Sequence, residues 1–125
     1  MALLLDTHVL LWCLQGNRKL SKPVRTQINA SSEVYVSSVS IWEIAIKVGS
    51  GKLMVNMDQL ASEITRIGLL ELRISHKHAA RVRLLPAIHR DPFDRMLVAQ
   101  AICEPMKLLT ADRVLACYSD LVELV

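Results

Sequence analysis

Short apolar runs alternate along the chain with longer segments whose apolar residues recur at helical spacing. The run Ala2–Asp6 is apolar up to its final acid, a pattern typical of a strand buried on both faces. Thr7–Leu14 continues with apolar residues at helical spacing. Further strands are predicted at Glu33–Val36, Leu70–Ile74, Lys107–Leu109 and Leu121–Leu124.

Capping residues, prolines and glycines mark the ends of the predicted helices. These helices run from Ser21 to about Ala30, Val39 to about Val48, Asn56 or Asp58 to Gly68, Ser75 to about Leu85, and Asp91 to about Cys103. The strongest start is Asp91-Pro92, because an acid caps the helix and proline is tolerated in its first turn. Pro86 is expected to end the helix before it.

Strands that alternate with helices predict βαβ units and therefore a mainly parallel sheet. We expect one domain over residues 1–125, of the α/β class. Its architecture would be a three-layer α/β/α sandwich around a central sheet of about five strands. In such sheets, binding sites form at the carboxyl ends of the strands.

Three acids are placed at this edge by chain connectivity. Asp6 ends the first strand, Glu43 lies in the first turns of the helix after the second, and Asp112 closely follows Lys107–Leu109. Asp94 joins them if its helix starts at Asp91. The sequence therefore predicts a cluster of four carboxylates.

Four carboxylates in one site require a counter-charge. Two unit charges 5 Å apart repel by roughly 3 kcal/mol at an effective dielectric constant of 20. Protonation or bound cations must relieve this repulsion. Oxygen ligands without His or Cys favour Mg²⁺ or Mn²⁺ over zinc, and such ions can activate water for attack on a phosphodiester.

Each acid also has an ordinary structural interpretation. Asp6 could end its strand and cap the next helix, and Glu43 could form a capping box with Ser40. Asp94 is favoured by the helix dipole in a first turn, and Asp112 could be a turn residue. No single acid is specific; their common position at strand ends supports the site.

The net charge and the cysteine content indicate which binding partners and which cellular compartment suit the protein. The formal net charge is +3, so four clustered acids would leave a basic remainder suited to a polyanion, although a solvated basic surface explains the charge equally well. The three cysteines are unclustered, which favours reduced thiols in a cytoplasm. No apolar run approaches the ~18–20 residues needed to cross a membrane.

Four segments resemble the motifs of the PIN domain, in particular of VapC-like toxins from toxin–antitoxin pairs. The segments are LLLDTHVLLW, SSVSIWEIAIKVGSGKL, HRDPFDRMLVAQA and LLTADRVL. By this resemblance they place Asp6, Glu43, Asp94 and Asp112 in the four acidic positions. Thr110 is the hydroxyl residue two before the last acid.

The resemblance implies a metal-dependent endoribonuclease. It implies an α/β/α sandwich, RNA cleavage with Mg²⁺ or Mn²⁺ held by the four acids, a homodimer and inhibition by a cognate antitoxin. Neighbouring polar residues are expected to support the acids or contact substrate: Thr7, Ser38, Asp91, Thr110 and Arg95. Asp91 is interpreted first as the helix cap. Arg95 belongs to a basic cluster around the third motif that could hold RNA phosphates or simply form an exposed helix face. The other members of this cluster are Arg81, Arg83, His89 and Arg90.

Two other functions fit the same pattern less well. A phospho-acceptor signalling domain also places acids at strand ends, but it needs a lysine after a late strand, where this chain has Ser119 and Asp120. A non-catalytic domain that only binds nucleic acid or an antitoxin would not need the intact set of acids. The RNA target and the number of metal ions are not readable from the sequence.

Overall fold

Five short strands form a fully parallel sheet at the centre of the protein. In the computed structural model, which describes residues 1–125, the strands are β1 Leu3–Leu5, β2 Val34–Ser37, β3 Leu70–Leu72, β4 Lys107–Thr110 and β5 Val122–Leu124. Their order is β3-β2-β1-β4-β5. In the centre, Leu4 is in register with Tyr35 on one side and Leu108 on the other. The predicted parallel sheet is confirmed.

Six α-helices connect and cover the strands. They are α1 Thr7–Gln15, α2 Lys22–Ala30, α3 Ser38–Gly49, α4 Met57–Arg66, α5 His76–Arg81 and α6 Pro92–Cys103. All of them were expected, and Asn56 rather than Asp58 is the N-cap of α4. None of the six helices has both the length and the apolar character that a membrane span requires.

The fifth helix is shorter than predicted. The α-helical part ends at Arg81, and a 3₁₀ turn over Val82–Leu84 continues the chain. Leu85 is then extended, with φ −73° and ψ 135°. This follows from Pro86, because a proline disfavours helical geometry in the residue before it. The predicted end near Leu85 is therefore correct for α5 and the 3₁₀ turn taken together, but not for the α-helix alone.

Alternating side chains of the sheet pack into two hydrophobic cores, one on each face. Leu3 and Leu5 belong to one core with Val9 of α1, while Leu4 belongs to the other with Leu97 of α6. Successive side chains of a strand point to opposite faces, so a three-residue strand can serve both cores. This is the expected three-layer α/β/α sandwich.

The central strands should contribute strongly to stability. We expect Leu108→Ala, at a fully buried position of β4, to lower the free energy of unfolding by about 2–5 kcal/mol through lost burial and a residual cavity. Leu84→Ala, at a position that is 60% exposed, is the matched control and should change it by less than about 1 kcal/mol. Urea denaturation followed by circular dichroism measures both. Equal losses would contradict this placement of the core.

Candidate active site

The carboxyl ends of β1 and β4, which are neighbours in the sheet, are joined by a hydroxyl group. Thr110, the last residue of β4, is fully buried, and its Oγ1 donates a hydrogen bond to Asp6 Oδ2 at 2.5 Å. The same oxygen accepts a hydrogen bond from the backbone N–H of Asp112 at 3.0 Å. Thr110 thus orients two of the predicted acids at once.

Asp6 is both a helix cap and a buried acid. It is 3% exposed, and its Oδ1 accepts a hydrogen bond from the Val9 N–H at 2.8 Å as the N-cap of α1. Burial raises the pKa of the Asp6 carboxyl, while the hydrogen bonds from Thr110 and Val9 oppose that rise. The structural interpretation is therefore correct, but it occupies only one lone pair of each oxygen.

Glu43 projects from α3 and is held by two partners. It is 4% exposed; Thr7 Oγ1 lies 2.7 Å from its Oε1, and Lys47 Nζ lies 2.9 Å from its Oε2. Ser37 is the N-cap of α3, and Ser40 Oγ contacts Thr7 at 3.0 Å. A capping box between Ser40 and Glu43 is therefore wrong, because the helix begins one turn earlier. The predicted supporting residue Thr7 lies beside Glu43.

Asp94 differs from the other three acids because its carboxylate accepts no hydrogen bond. It lies in the first turn of α6, where Asp91 Oδ1 caps the helix by accepting from the N–H groups of Phe93 (2.8 Å) and Asp94 (3.3 Å). Burial, followed by the negative charges of Asp91, Asp6 and Glu43, raises the pKa of Asp94 to about 7. The charge of Asp94 is thus poorly compensated.

Asp112 completes the set from the loop after β4. Its Oδ1 accepts from the Val114 N–H at 2.9 Å, so the predicted turn role is also present. Its Oδ2 lies 2.8 Å from His89 Nε2, which in turn lies 3.7 Å from Asp94 Oδ2. Potential ligand atoms of His89, Asp94 and Asp112 all lie within 4.8 Å of one another.

His89 was missed as a member of the site by the sequence interpretation. It was grouped only with basic residues that could contact RNA phosphates. Its position in the short loop that leads to the Asp91 cap was the available signal, because that loop must approach Asp94. A spacing of five residues fits neither the helical nor the strand repeat, so periodicity alone does not place His89 beside Asp94.

Two predicted supporting residues make their contacts with groups other than the four acids. Ser38 lines an apolar cavity of about 590 Å³ between α3 and α4, together with Trp42 and Leu60. Arg95 donates hydrogen bonds to the carbonyl oxygen of Pro86 at 2.9 Å and to Tyr118 Oη at 3.1 Å. These contacts favour a structural role for Arg95 in the loop before α6.

The chemistry of the donor set fits a divalent cation. Asp94 and Asp112 present carboxylate oxygens close together. Burial and the neighbouring acids raise the pKa of Asp94 although His89 opposes the rise, so the ionised form would be stabilised by more positive charge. A cation would supply that charge without requiring a proton. Carboxylate oxygens are the ligands that Mg²⁺ and Mn²⁺ prefer, and the buried Asp6 and Glu43 add to the negative field.

Sequence comparison assigns this arrangement to a family. The model of the PIN domain matches residues 3–120. The chain belongs to the PIN domain family. Its parallel five-stranded sheet with six helices is that of a PIN domain protein, and the resemblance read from the four motifs is confirmed.

A curated relative and several solved structures match the chain over most of its length. The protein is 29% identical over 117 residues to ribonuclease VapC22 of Mycobacterium tuberculosis, an alignment covering 88% of this chain and 86% of the relative. Its fold is similar to a chain of VapBC2 from Rickettsia felis bound to a promoter DNA fragment, with TM-score 0.73, 15% identity and coverage of 100% and 98% of the two chains. A chain of DNA-bound VapBC from Salmonella typhimurium gives TM-score 0.71, 18% identity and coverage of 100% and 97%.

Thr110→Val tests the hydroxyl that joins Asp6 to Asp112. Valine has nearly the same shape but leaves a buried carboxylate oxygen and a backbone N–H unpaired, so we expect a loss of about 1–3 kcal/mol in the free energy of unfolding. Thr110→Ser keeps the hydroxyl and is the control; it should restore most of the difference in urea denaturation. A valine variant as stable as wild type would contradict the bridging role.

Asp94→Asn tests the poorly compensated charge in the metal-free protein. The pKa of Asp94 is raised from 3.8 when unfolded to about 7 when folded, so its ionisation costs stability increasingly between about pH 4 and 7. Asparagine removes that cost. We therefore expect the variant to melt about 2–5 °C above wild type at pH 8 in EDTA, with the difference shrinking towards pH 4.

Asp120→Asn, at an exposed position before β5, is the control for this pH dependence and should follow the wild-type curve. Thermal melts at several pH values provide the measurement. An advantage of Asp94→Asn that stays constant from pH 8 to pH 4 would show that ionisation of Asp94 is not its source.

Proposed function

We propose that this PIN domain protein is a VapC-type ribonuclease, the toxin of a toxin–antitoxin pair, which cleaves RNA with Mg²⁺ or Mn²⁺ at the acidic site. The proposal is carried by one observation: the Asp94 carboxylate lies among other acids and itself accepts no hydrogen bond. A buried carboxylate without hydrogen-bond partners is stabilised by a bound cation. The relative named as a ribonuclease, and neighbours named as VapBC complexes, support the substrate class and the partner.

Asp94 and Asp112 would hold the cation, with Asp6 and Glu43 completing the negative site. Bound there, a divalent cation would supply the chemistry of water activation and of charge stabilisation at the phosphate. Thr110 keeps Asp6 and Asp112 oriented through its two hydrogen bonds. A site oriented before substrate arrives loses less free energy to reorganisation during the reaction.

Glu43 has a separate position within the site. Lys47 and Thr7 each contact one of its oxygens, so its charge is partly compensated by the protein itself. It therefore depends less on a cation than Asp94 does. We assign Glu43 the role of holding a water molecule in the site, with Thr7 fixing the direction of its carboxylate.

The remaining parts of the proposal concern partners and compartment. We propose an antitoxin as the inhibitory partner, a homodimer as the assembled form and the cytoplasm as the location. Antitoxin contact is supported by the names of the structural neighbours, which are toxin–antitoxin complexes. Membership of the PIN domain family sets aside the phospho-acceptor alternative.

RNA cleavage with purified protein tests the catalytic assignment. In Mg²⁺ or Mn²⁺ we expect wild-type protein to cleave single-stranded RNA, and Asp6→Asn and Asp94→Asn each to lower the rate by at least about 100-fold, because each removes a charged oxygen from the site. Asp58→Asn, at an exposed position of α4, is the control and should stay within about twofold of wild type. EDTA should abolish cleavage.

The outcomes separate the candidate functions. Activity that survives both substitutions would overturn the assigned mechanism. A folded wild-type protein that leaves RNA intact in both metals, yet binds the product of a neighbouring antitoxin-like reading frame, would instead support the non-catalytic binding domain.

A further inference from the structure

His89 lies in the acidic site but is not one of the family's acids. It belongs to the loop between the 3₁₀ turn over Val82–Leu84 and α6, and its side chain is only 18% exposed. Its Nε2 faces Asp112 at 2.8 Å and Asp94 at 3.7 Å. A histidine in this place could either bind the cation or organise the acids, and its hydrogen bonds distinguish the two roles.

The second nitrogen of the ring determines the tautomer. His89 Nδ1 lies 3.0 Å from the backbone nitrogen of Asp91, with the N–H directed at it. A backbone amide can only donate, so Nδ1 must accept and cannot carry a proton. In the neutral ring the proton is then on Nε2, and this N–H donates to Asp112 Oδ2.

Direct ligation of a cation by His89 would conflict with this geometry. Coordination through Nε2 requires the proton of the neutral ring to move to Nδ1, where it would face the Asp91 N–H, another donor. Histidine ligands of metals almost always donate their other N–H to an oxygen acceptor. Here the loop places the Asp91 N–H, a donor, against Nδ1. The geometry therefore favours a neutral ring whose Nε2–H donates to Asp112.

The backbone of His89 is also fixed. Its N–H donates to Tyr118 Oη at 2.7 Å, and the same phenol oxygen accepts from Arg95 Nη1 at 3.1 Å. Arg95 in turn binds the carbonyl oxygen of Pro86 at the start of the loop. Both the main chain and the ring of His89 are therefore held in one orientation towards the acids.

We propose that His89 is a positioning residue, which holds the Asp112 carboxylate beside Asp94 by donating from Nε2 and does not itself bind the cation. The statement about the cation rests on the proposed function. The donated hydrogen bond occupies one lone pair of Asp112 Oδ2 and leaves others for a cation. It also places the positive end of an N–H dipole near Asp94 before any cation is bound.

Nitrogen NMR of the imidazole tests the tautomer without reference to activity. In ¹⁵N-labelled, metal-free protein at about pH 8, we expect the His89 ring to carry its proton on Nε2 and none on Nδ1. Added Mg²⁺, which is diamagnetic, should leave Nε2 protonated. A proton on Nδ1 in the metal-free protein, or a deprotonated Nε2 after Mg²⁺ is added, would overturn the proposal.

Metal affinity tests the positioning role. By calorimetry with Mn²⁺, we expect His89→Ala to bind about 10-fold more weakly than wild type, as is common when a partner of a metal ligand is lost. His89→Gln places an amide donor near the position of Nε2 and should stay within about threefold. His76→Ala, an exposed histidine at the start of α5, is the control and should bind like wild type.

Tyr118→Phe loosens His89 without altering the ring or the acids. It removes the acceptor of the His89 N–H, and we expect a smaller loss of Mn²⁺ affinity than in His89→Ala. Unchanged affinity in His89→Ala would overturn the proposal. An equal loss in the Gln and Ala variants, larger for Mn²⁺ than for Mg²⁺, would also overturn it, because it indicates a nitrogen ligand.

The same measurements separate this proposal from the proposed function. Wild-type protein that binds Mn²⁺ and shows the expected order of variants, yet does not cleave RNA, would overturn the ribonuclease assignment and support the positioning role. Wild-type protein that binds neither Mn²⁺ nor Mg²⁺ would overturn both.

Discussion

The hydrogen bond from Thr110 to Asp6 joins the interior of the sheet to its acidic edge. It connects the ends of the two central strands, and the same hydroxyl receives the N–H of Asp112. Without it, a carboxylate that is 3% exposed would lose a hydrogen bond that opposes the cost of its burial. The position of the acids thus depends on the pairing of β1 with β4.

The negative charges of the four acids are compensated to different degrees. Asp6 and Asp112 each accept hydrogen bonds, and Glu43 has both Thr7 and Lys47. Asp94 accepts none, and burial among other acids raises its pKa to about 7. The fold tolerates one poorly compensated carboxylate, which costs stability in the metal-free protein but suits cation binding, as is common at functional sites.

Helix caps and site residues coincide throughout this edge. Asp6 begins α1 and Asp91 begins α6, while the Asp91 N–H orients the ring of His89. The structural and functional interpretations of these acids are therefore complementary, since a cap uses one lone pair of a carboxylate that has several. Local helix initiation places the acids, and the remaining lone pairs are available for chemistry.

Sequence alone determined the strands and the helices, and with the family resemblance it predicted the set of acids. Periodicity and capping are local, and the carboxyl ends of parallel strands meet at one edge, so Asp6 and Asp112 could be predicted there from connectivity. The tertiary structure decided which acid lacks a donor, where Arg95 points and which atom of His89 carries its proton. These features depend on contacts between distant parts of the chain, such as Thr110 with Asp6 across 104 positions, and local sequence patterns carry no signal for such partners.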